Sequence, residues 1–477
     1  MFRRLALLLI AVLACKKEPP AQPPREEPAA QPQPGAQARA AGEAACAKAR
    51  SEGVLAWIPD DYPAALACAK ARNLPLVLDL WAPWCHTCLS MQSTVFTDRS
   101  FAAAAPKFVF ASLDTDRDAN APAVAKFPPA AWPTFYVVSP EEAVLARFVG
   151  AASVAQFHAF LDAGARARAG GAVGPDARML AAERALAAKD LATAEQELAA
   201  ALAAAPADWP RRPNALVSLI AAKHKRGDLA GCVEVAEKSM ADTGNAASAT
   251  DFLIQATACA AELLGSEDDP RPTPELAARV GKLREAAAAR LGKLVDDAAA
   301  PLSVDDRSDA MANLRETLGA LGRKADARAV AERQRVLLDE TAAKAPNPMA
   351  AMTYNWPRAE VYVFLGRPLD LVPALEKSVR DLPLEYDPPA RLGWIYWKGG
   401  KLDEAARWTD AALKLLYGPR KARVLNQRAE IAAQQGDREG VRAARAEIVK
   451  VLEALPPGQT TPEAIEKARQ TLADLGR

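Results

Sequence analysis

Asp79-Leu80-Trp81-Ala82-Pro83-Trp84-Cys85-His86-Thr87-Cys88 is the stretch whose reading decides the fold. An apolar run, Leu74 to Leu80, ends in two tryptophans and a Cys-x-x-Cys pair. The pattern predicts a buried strand that stops at an exposed edge, with a helix starting at the first cysteine. Backbone N–H groups at a helix N-terminus favour an anion, so Cys85 is expected to titrate below a free cysteine. Cys88 stands one helical turn on, within reach of a disulfide.

The flanking pattern supplies the remaining elements. Tyr62 to Arg72 reads as a helix with Ala65, Leu66 and Ala69 on one face, and Leu76 to Leu80 as a strand. The helix from Cys85 is interrupted near Phe96-Thr97-Asp98, with a second segment near Ser100 to Ala105. Strands are expected at Lys107 to Leu113, Thr134 to Val138 and Val144 to Val149. A short helix falls at Ala121 to Phe127, and Ser153 caps a last one through Leu161. The order is α-β-α-β-α-β-β-α over a first domain of residues 44–165.

The quoted run resembles the active site of the thioredoxin superfamily, Asp-Phe-Trp-Ala-x-Trp-Cys-x-x-Cys, with Leu80 its departure, and the element order is similar to the thioredoxin core. The resemblance implies a thiol–disulfide oxidoreductase in which Cys85 attacks a disulfide and Cys88 resolves the mixed disulfide. Asp79, six residues before Cys85, stands where the family keeps a buried carboxyl that takes the resolving thiol's proton; a solvated strand-end aspartate is the alternative. Trp132-Pro133-Thr134 stands where the family keeps a cis-proline beside the disulfide, and the sequence leaves cis or trans open. Trp84, Trp132, Pro133 and Thr134 are thereby expected to meet substrate. The run from Cys88 to Phe96-Thr97-Asp98-Arg99-Ser100-Phe101 resembles the C-terminal periplasmic thioredoxin domain of the reductase DsbD and its relatives more than cytosolic thioredoxin. Ser93 replaces the proline that thioredoxin carries five residues after its second cysteine.

His86 and Thr87 tune the couple. A histidine between the cysteines favours an oxidising pair, whereas Asp79 and the two tryptophans favour a reductase; the wider framework tips the expectation to reductase. No metal or other cofactor is expected. A c-type haem needs histidine after the second cysteine, and Leu89 stands there; zinc needs a second ligand pair; and the chain holds 3 histidines in all.

At 477 residues the chain is long enough for more than one domain, and 60 Lys+Arg against 59 Asp+Glu gives no electrostatic case for nucleic acid. Phe2-Arg3-Arg4 followed by an apolar Leu5 to Ala14 reads as a signal peptide over residues 1–14. Val12-Leu13-Ala14-Cys15 resembles a bacterial lipobox, which implies a lipid on Cys15 and an extracytoplasmic, membrane-anchored protein. Lys16 and Lys17, in place of an aspartate, weakly favour the outer membrane. Residues 15–43, rich in Pro, Ala, Gln and Glu, are expected to be a disordered tether. Four further cysteines are expected to pair as Cys46–Cys68 and Cys232–Cys259 in an oxidising compartment; buried free thiols are the equal alternative.

Gly164 to Gly174 reads as a linker, set at residues 166–175. Residues 176–477 are expected to be all helical. Turns recur at Lys189-Asp190, Gly227-Asp228, Gly322-Arg323, Gly366-Arg367, Gly400-Lys401 and Gly436-Asp437. Such spacing indicates stacked helix pairs. Leu392-Gly393-x-x-Tyr396, Ala405 and Ala412 resemble a tetratricopeptide repeat over residues 388–450, though Pro389 replaces its tryptophan and the aromatic of its second helix moves to Trp408. Gly265 to Pro274 reads as an exposed loop. The repeats are expected to bind a protein or peptide partner. Trp394, Tyr396, Trp397 and Trp408 are expected chiefly in the inter-helix core, with a partner surface as the alternative. The expected partners are a protein disulfide or dithiol and a membrane electron donor. The competing function is a lipoprotein scaffold whose thioredoxin domain only docks.

Overall fold

The computed structural model describes residues 34–265 and 271–475. The signal peptide, Cys15 and residues 266–270 of the expected loop lie outside them. The first domain runs α1 (Pro34–Cys46), β1 (Arg50–Glu52), β2 (Leu55–Pro59), α2 (Tyr62–Arg72), β3 (Leu76–Trp81) and α3 (His86–Thr94). It continues through β4 (Val109–Asp114), α4 (Ala121–Lys126), β5 (Thr134–Val138), β6 (Val144–Val149) and α5 (Val154–Arg168). The strands form one sheet in the order β1-β2-β4-β3-β5-β6. β3 pairs parallel with β4 and antiparallel with β5, so its Leu-Val-Leu-Asp-Leu run is covered on both edges and both faces. That central place is what a nearly unbroken apolar strand encodes.

Local chemistry sets the ends of these elements. Asp61 caps α2 by accepting from Ala64 N at 3.0 Å, and Asn73 ends it in the left-handed region at φ 52°. Ser153 and Gln156 form a capping box that starts α5. Two apolar layers close on the sheet. One centres on Phe96, Phe135, Phe157 and Phe160, the other on Ala65, Leu76, Leu78 and Tyr136.

Three boundaries differ from the sequence reading. Residues 34–43, expected in a disordered tether, belong to α1. Ala40, Ala41, Ala44 and Ala45 favour a helix, and Cys46 bonds to Cys68 of α2. The β1–β2 hairpin was not expected; Trp57 seals it against Phe96 and Phe110 at ring separations of 4.8 and 5.1 Å. Gly164 is not the start of a linker. It sits inside α5, where a Cβ would lie 2.7 Å from the Val137 side chain, so its role is close packing.

Beyond Gly171 the chain is built of helix pairs: Gly174–Ala187 with Leu191–Ala204, Arg212–Lys225 with Leu229–Ser239, and Ala247–Leu264 with Pro274–Asp296. Then follow Val304–Ala320 with Lys324–Ala343, Asn355–Phe364 with Val372–Asp381, Asp387–Lys398 with Leu402–Leu415, and Gly418–Gln435 with Arg438–Ala454. Pro462–Asp474 closes the array. Each turn the sequence singled out carries a residue at positive φ, from Lys189 at 62° to Gly322 at 76°. In the best repeat Leu392, Ala405 and Ala412 are fully buried, and a Cβ on Gly393 would fall 2.5 Å from Thr409 Oγ1, so the two helices touch through backbone.

The array bends round the first domain. Gly174–Ala187 packs along β6, and Val304–Ala320 packs on α3. Further on, Tyr417 Oη donates to Asp114 Oδ2 at 2.5 Å, and Gln459 Nε2 donates to the carbonyls of Thr115 and Arg117 at 2.9 and 3.0 Å. Trp84 packs against an apolar cluster of the array built from Tyr386, Ala390, Ala412, Leu416 and Val424. Among the described residues no helix is long and apolar enough to cross a membrane.

Candidate active site

The buried strand β3 ends at Trp81, and the chain turns through Pro83 and Trp84 to Cys85, which caps α3 in an extended conformation. Cys85 Sγ accepts the N–H of Cys88 at 3.0 Å, so the first turn of α3 points a donor at that sulfur. Cys85 and Cys88 are bonded and are 4% and 1% exposed. The Trp132–Pro133 peptide, which sequence left open, is cis. Thr134 is fully buried; its Oγ1 donates to Ala131 O at 2.6 Å and accepts from Ala130 N at 3.2 Å, which ties that loop to itself. Trp132 Nε1 donates to Thr115 Oγ1 at 2.8 Å, and Trp84 Nε1 donates to Asp116 Oδ2 at 2.8 Å. The two indoles meet edge to face at 5.1 Å. The loops after β3 and β4 and before β5 are thus held together around the cysteines.

Asp79 is 1% exposed on β3, opposite Ser112 and Phe135, which removes the solvated alternative. His86 turns away from the first domain. Its Nδ1 lies 2.9 and 3.0 Å from the two carboxylate oxygens of Asp305, which is fully buried on Val304–Ala320. Burial opposes a charge on His86, but the carboxylates of Asp305 and Asp309 outweigh it and push the imidazole up to about 10. Burial also raises the Asp306 carboxyl to about 6 and the Asp309 carboxyl well above its ordinary range. Ligand-type atoms of His86, Asp305 and Asp309 all lie within 4.8 Å of one another. With His86 protonated the trio is an ion pair with an extra acid. Sequence reasoning missed Asp305; its signal was Ser303 capping a helix that sets Asp305, Asp306 and Asp309 close together.

A cleft of about 450 Å³ opens over the disulfide. Trp84, Cys85, His86, Thr87 and Trp132 form one wall; Trp356, Arg391, Trp394, Trp397, Arg420 and Arg423 of the helical array face them. All four aromatics grouped by sequence pack on the core between helices. Two of them, Trp394 and Trp397, also line this cleft. Arg391 is buried, pairs with Asp387 at 2.7 Å, donates to Trp84 O at 3.2 Å and lies 4.3 Å over the Trp356 ring. A second cavity of about 470 Å³ lies beyond Thr87 and Trp132 and reaches Asp251, Asp306 and Asp309. Outside the lining of both, Cys46 is bonded to Cys68 and Cys232 to Cys259, with S–S distances of 2.04 and 1.93 Å.

Residues 56–140 match the family described as thioredoxin-like. The matched segment contains β3, the cysteine pair and the cis-proline, and the sheet around it is the thioredoxin-like fold. No curated protein matches the sequence. Among solved structures the chain is similar to a tetratricopeptide repeat protein from Parabacteroides merdae, at 14% identity and TM-score 0.39 over 64% of this chain and 99% of that one. It is also similar to the TPR domain of P58(IPK), at 15% identity and TM-score 0.20 over 63% and 98%. A third likeness is to the APC/C hetero-tetramer Cut9-Hcn1, at 14% identity and TM-score 0.19 over 63% and 70%.

Proposed function

We propose that this chain is a thiol–disulfide oxidoreductase that acts outside the cytoplasm, anchored by lipid on Cys15, and that it reduces disulfides. The observation that carries the redox reading is the Cys85–Cys88 pair at the start of α3, with the Cys88 N–H on Cys85 Sγ and the cis-Pro133 loop alongside. In the reduced state the same donor and the helix N-terminus favour a Cys85 thiolate, the form that attacks a disulfide. Cys88 resolves the mixed disulfide, and Asp79 takes its proton. The His86 imidazolium adds positive charge beside Cys85, which shifts the couple to a more oxidising value than the framework alone would give. A membrane-borne dithiol is the expected electron source.

Equilibration in thiol buffers tests this. A potential between thioredoxin's, about −270 mV, and roughly −200 mV supports a reductase; a value near −120 to −180 mV makes it an oxidase or isomerase. The second reading is a scaffold whose repeats do the work. The near-complete burial of both cysteines favours it, and absence of any reversible couple would establish it over the enzyme.

A further inference from the structure

We propose that the cleft over Cys85 selects disulfides carried on short, extended, acidic peptide segments. This rests on the redox reading and names the substrate class for the same site. Arg420 stands in the first turn of Gly418–Gln435, and Arg423 one turn later; both face Cys85 across the cleft. Arg420 lies 4.8 Å over the Trp84 ring. Burial lowers its guanidinium to about 10, which still leaves it a cation at neutral pH. Among the described residues neither Arg420 nor Arg423 has a carboxylate within the 4.0 Å of an ion pair. The acids that act on Arg420 are engaged elsewhere: Asp387 holds Arg391 at 2.7 Å, and Asp116 accepts Trp84 Nε1 at 2.8 Å. The cleft's own Glu430 is taken by Arg445 at 2.7 Å.

Two cations without an ion-pair partner among the described residues thus stand beside a buried disulfide, between tryptophan walls. A half-buried arginine without a partner costs desolvation that an incoming carboxylate recovers. The volume of about 450 Å³ suits a short segment and excludes a folded domain. The tryptophan faces accept the apolar body of a peptide while the carboxylates flanking its half-cystine meet Arg420 and Arg423.

The chemistry balances with the substrate alone and a dithiol donor. The Cys85 thiolate attacks one sulfur of the peptide disulfide; that S–S bond breaks, and one peptide leaves as a thiolate that takes a proton from water. Cys88, giving up its own proton, attacks Cys85 Sγ and releases the second peptide, which is protonated in turn. The Cys85–Cys88 pair is oxidised by two electrons and the substrate reduced by two. A dithiol such as dithiothreitol restores the pair.

The test uses the full chain, reduced and freed of dithiothreitol, mixed with either of two disulfide-linked peptide dimers. They are identical except that aspartates or lysines flank the half-cystine. Oxidation is followed by tryptophan fluorescence, and the midpoint potential in dithiothreitol buffers is read on the same samples. The acidic dimer is expected to react at least about tenfold faster at low salt, with a ratio that shrinks as salt rises. Arg423→Gln, at an exposed site, and Arg420→Gln should each bring the acidic-to-basic ratio towards one. A reversible couple with equal rates for both dimers, or with a ratio unaltered in both variants, overturns this inference and leaves the redox reading standing. Absence of a reversible couple removes both.

Discussion

His86 Nδ1 lies 2.9 Å from Asp305 Oδ1, and 219 residues separate them in the chain. One belongs to the redox motif, the other to the fourth helix pair. The residue proposed to tune the cysteines is therefore itself held by the helical array. Asp305→Asn should cost roughly 3–5 kcal/mol at pH 7, the size typical of breaking a buried pair, because it removes the carboxylate that keeps the imidazole charged. The folded pKa of His86, about 10, lies above its ordinary 6.5, so the pair's contribution is full below about 6.5 and is lost as pH rises through 10. Urea unfolding of both proteins at pH 6, 8 and 10.5 should show the difference shrink at the last. The same variant should lower the midpoint potential by about 30 mV, one tenfold loss in thiolate stabilisation. An unchanged potential would show that His86 does not act on Cys85.

Cys88→Ser removes the resolving thiol and keeps the attacking one. Incubated with a peptide disulfide, it should gain the mass of one peptide on Cys85, stable until dithiothreitol is added. Cys85→Ser should gain none. A protein that only docks would gain nothing in either variant.

Asp79→Asn should slow release of the second thiol by about 100-fold, the size of a lost general base, while formation of the mixed disulfide keeps its rate. Rapid quench with mass detection separates the two steps. Equal slowing of both would assign Asp79 to the stability of the sheet.

Four buried carboxyls around the domain boundary set a pH trend in stability. Burial, the largest cause in each case, raises Asp116 and Asp306 to about 6, Asp114 to about 7 and Asp251 to about 8. All exceed the ordinary 3.8, so the folded chain binds more protons than the unfolded one between about pH 4 and 8. Their contribution is complete below 3.8 and disappears as pH rises through 6 to 8. The melting temperature should therefore fall from pH 5 to pH 8.5, and Asp251→Asn should flatten the upper part of that slope.

Gly393→Val should destabilise the repeat region by about 1–3 kcal/mol, the usual cost of overpacking. Its Cβ would fall 2.9 Å from Thr409 N, and backbone cannot yield as a side chain does. Hydrogen exchange should show the loss centred on Asp387–Lys398 and Leu402–Leu415.

What the sequence made legible was local. An apolar run ending in Trp-Cys-x-x-Cys, a capping serine at 153 and recurrent turns each act within a few residues, and each stands in the structure as an element or its end. What it hid depends on chain segments that meet only after folding. Asp305, Arg391 and Arg420 look like ordinary charges on amphipathic helices until the array brings them to Trp84 and His86. Gly164 misled because glycine next to Gly170 and Gly171 reads as flexibility, and only the contact with Val137 shows it is spatial economy. The α1 helix was masked by the prolines that precede it.

Gly418 approaches Asp116 so closely that a Cβ there would fall 2.1 Å from its carbonyl oxygen, and Gln459 holds the carbonyls of the residues on either side, Thr115 and Arg117. These late residues fasten the far end of the array to the strand that carries the Trp84 partner. The chain is thus not modular in the way two beads on a string are. A thioredoxin-like domain cut out at residue 170 would keep its cysteines and lose the counter-charge of His86, the cover on Trp84 and the cations opposite Cys85. Such a fragment would be a different reagent, and its chemistry would not stand for that of the whole.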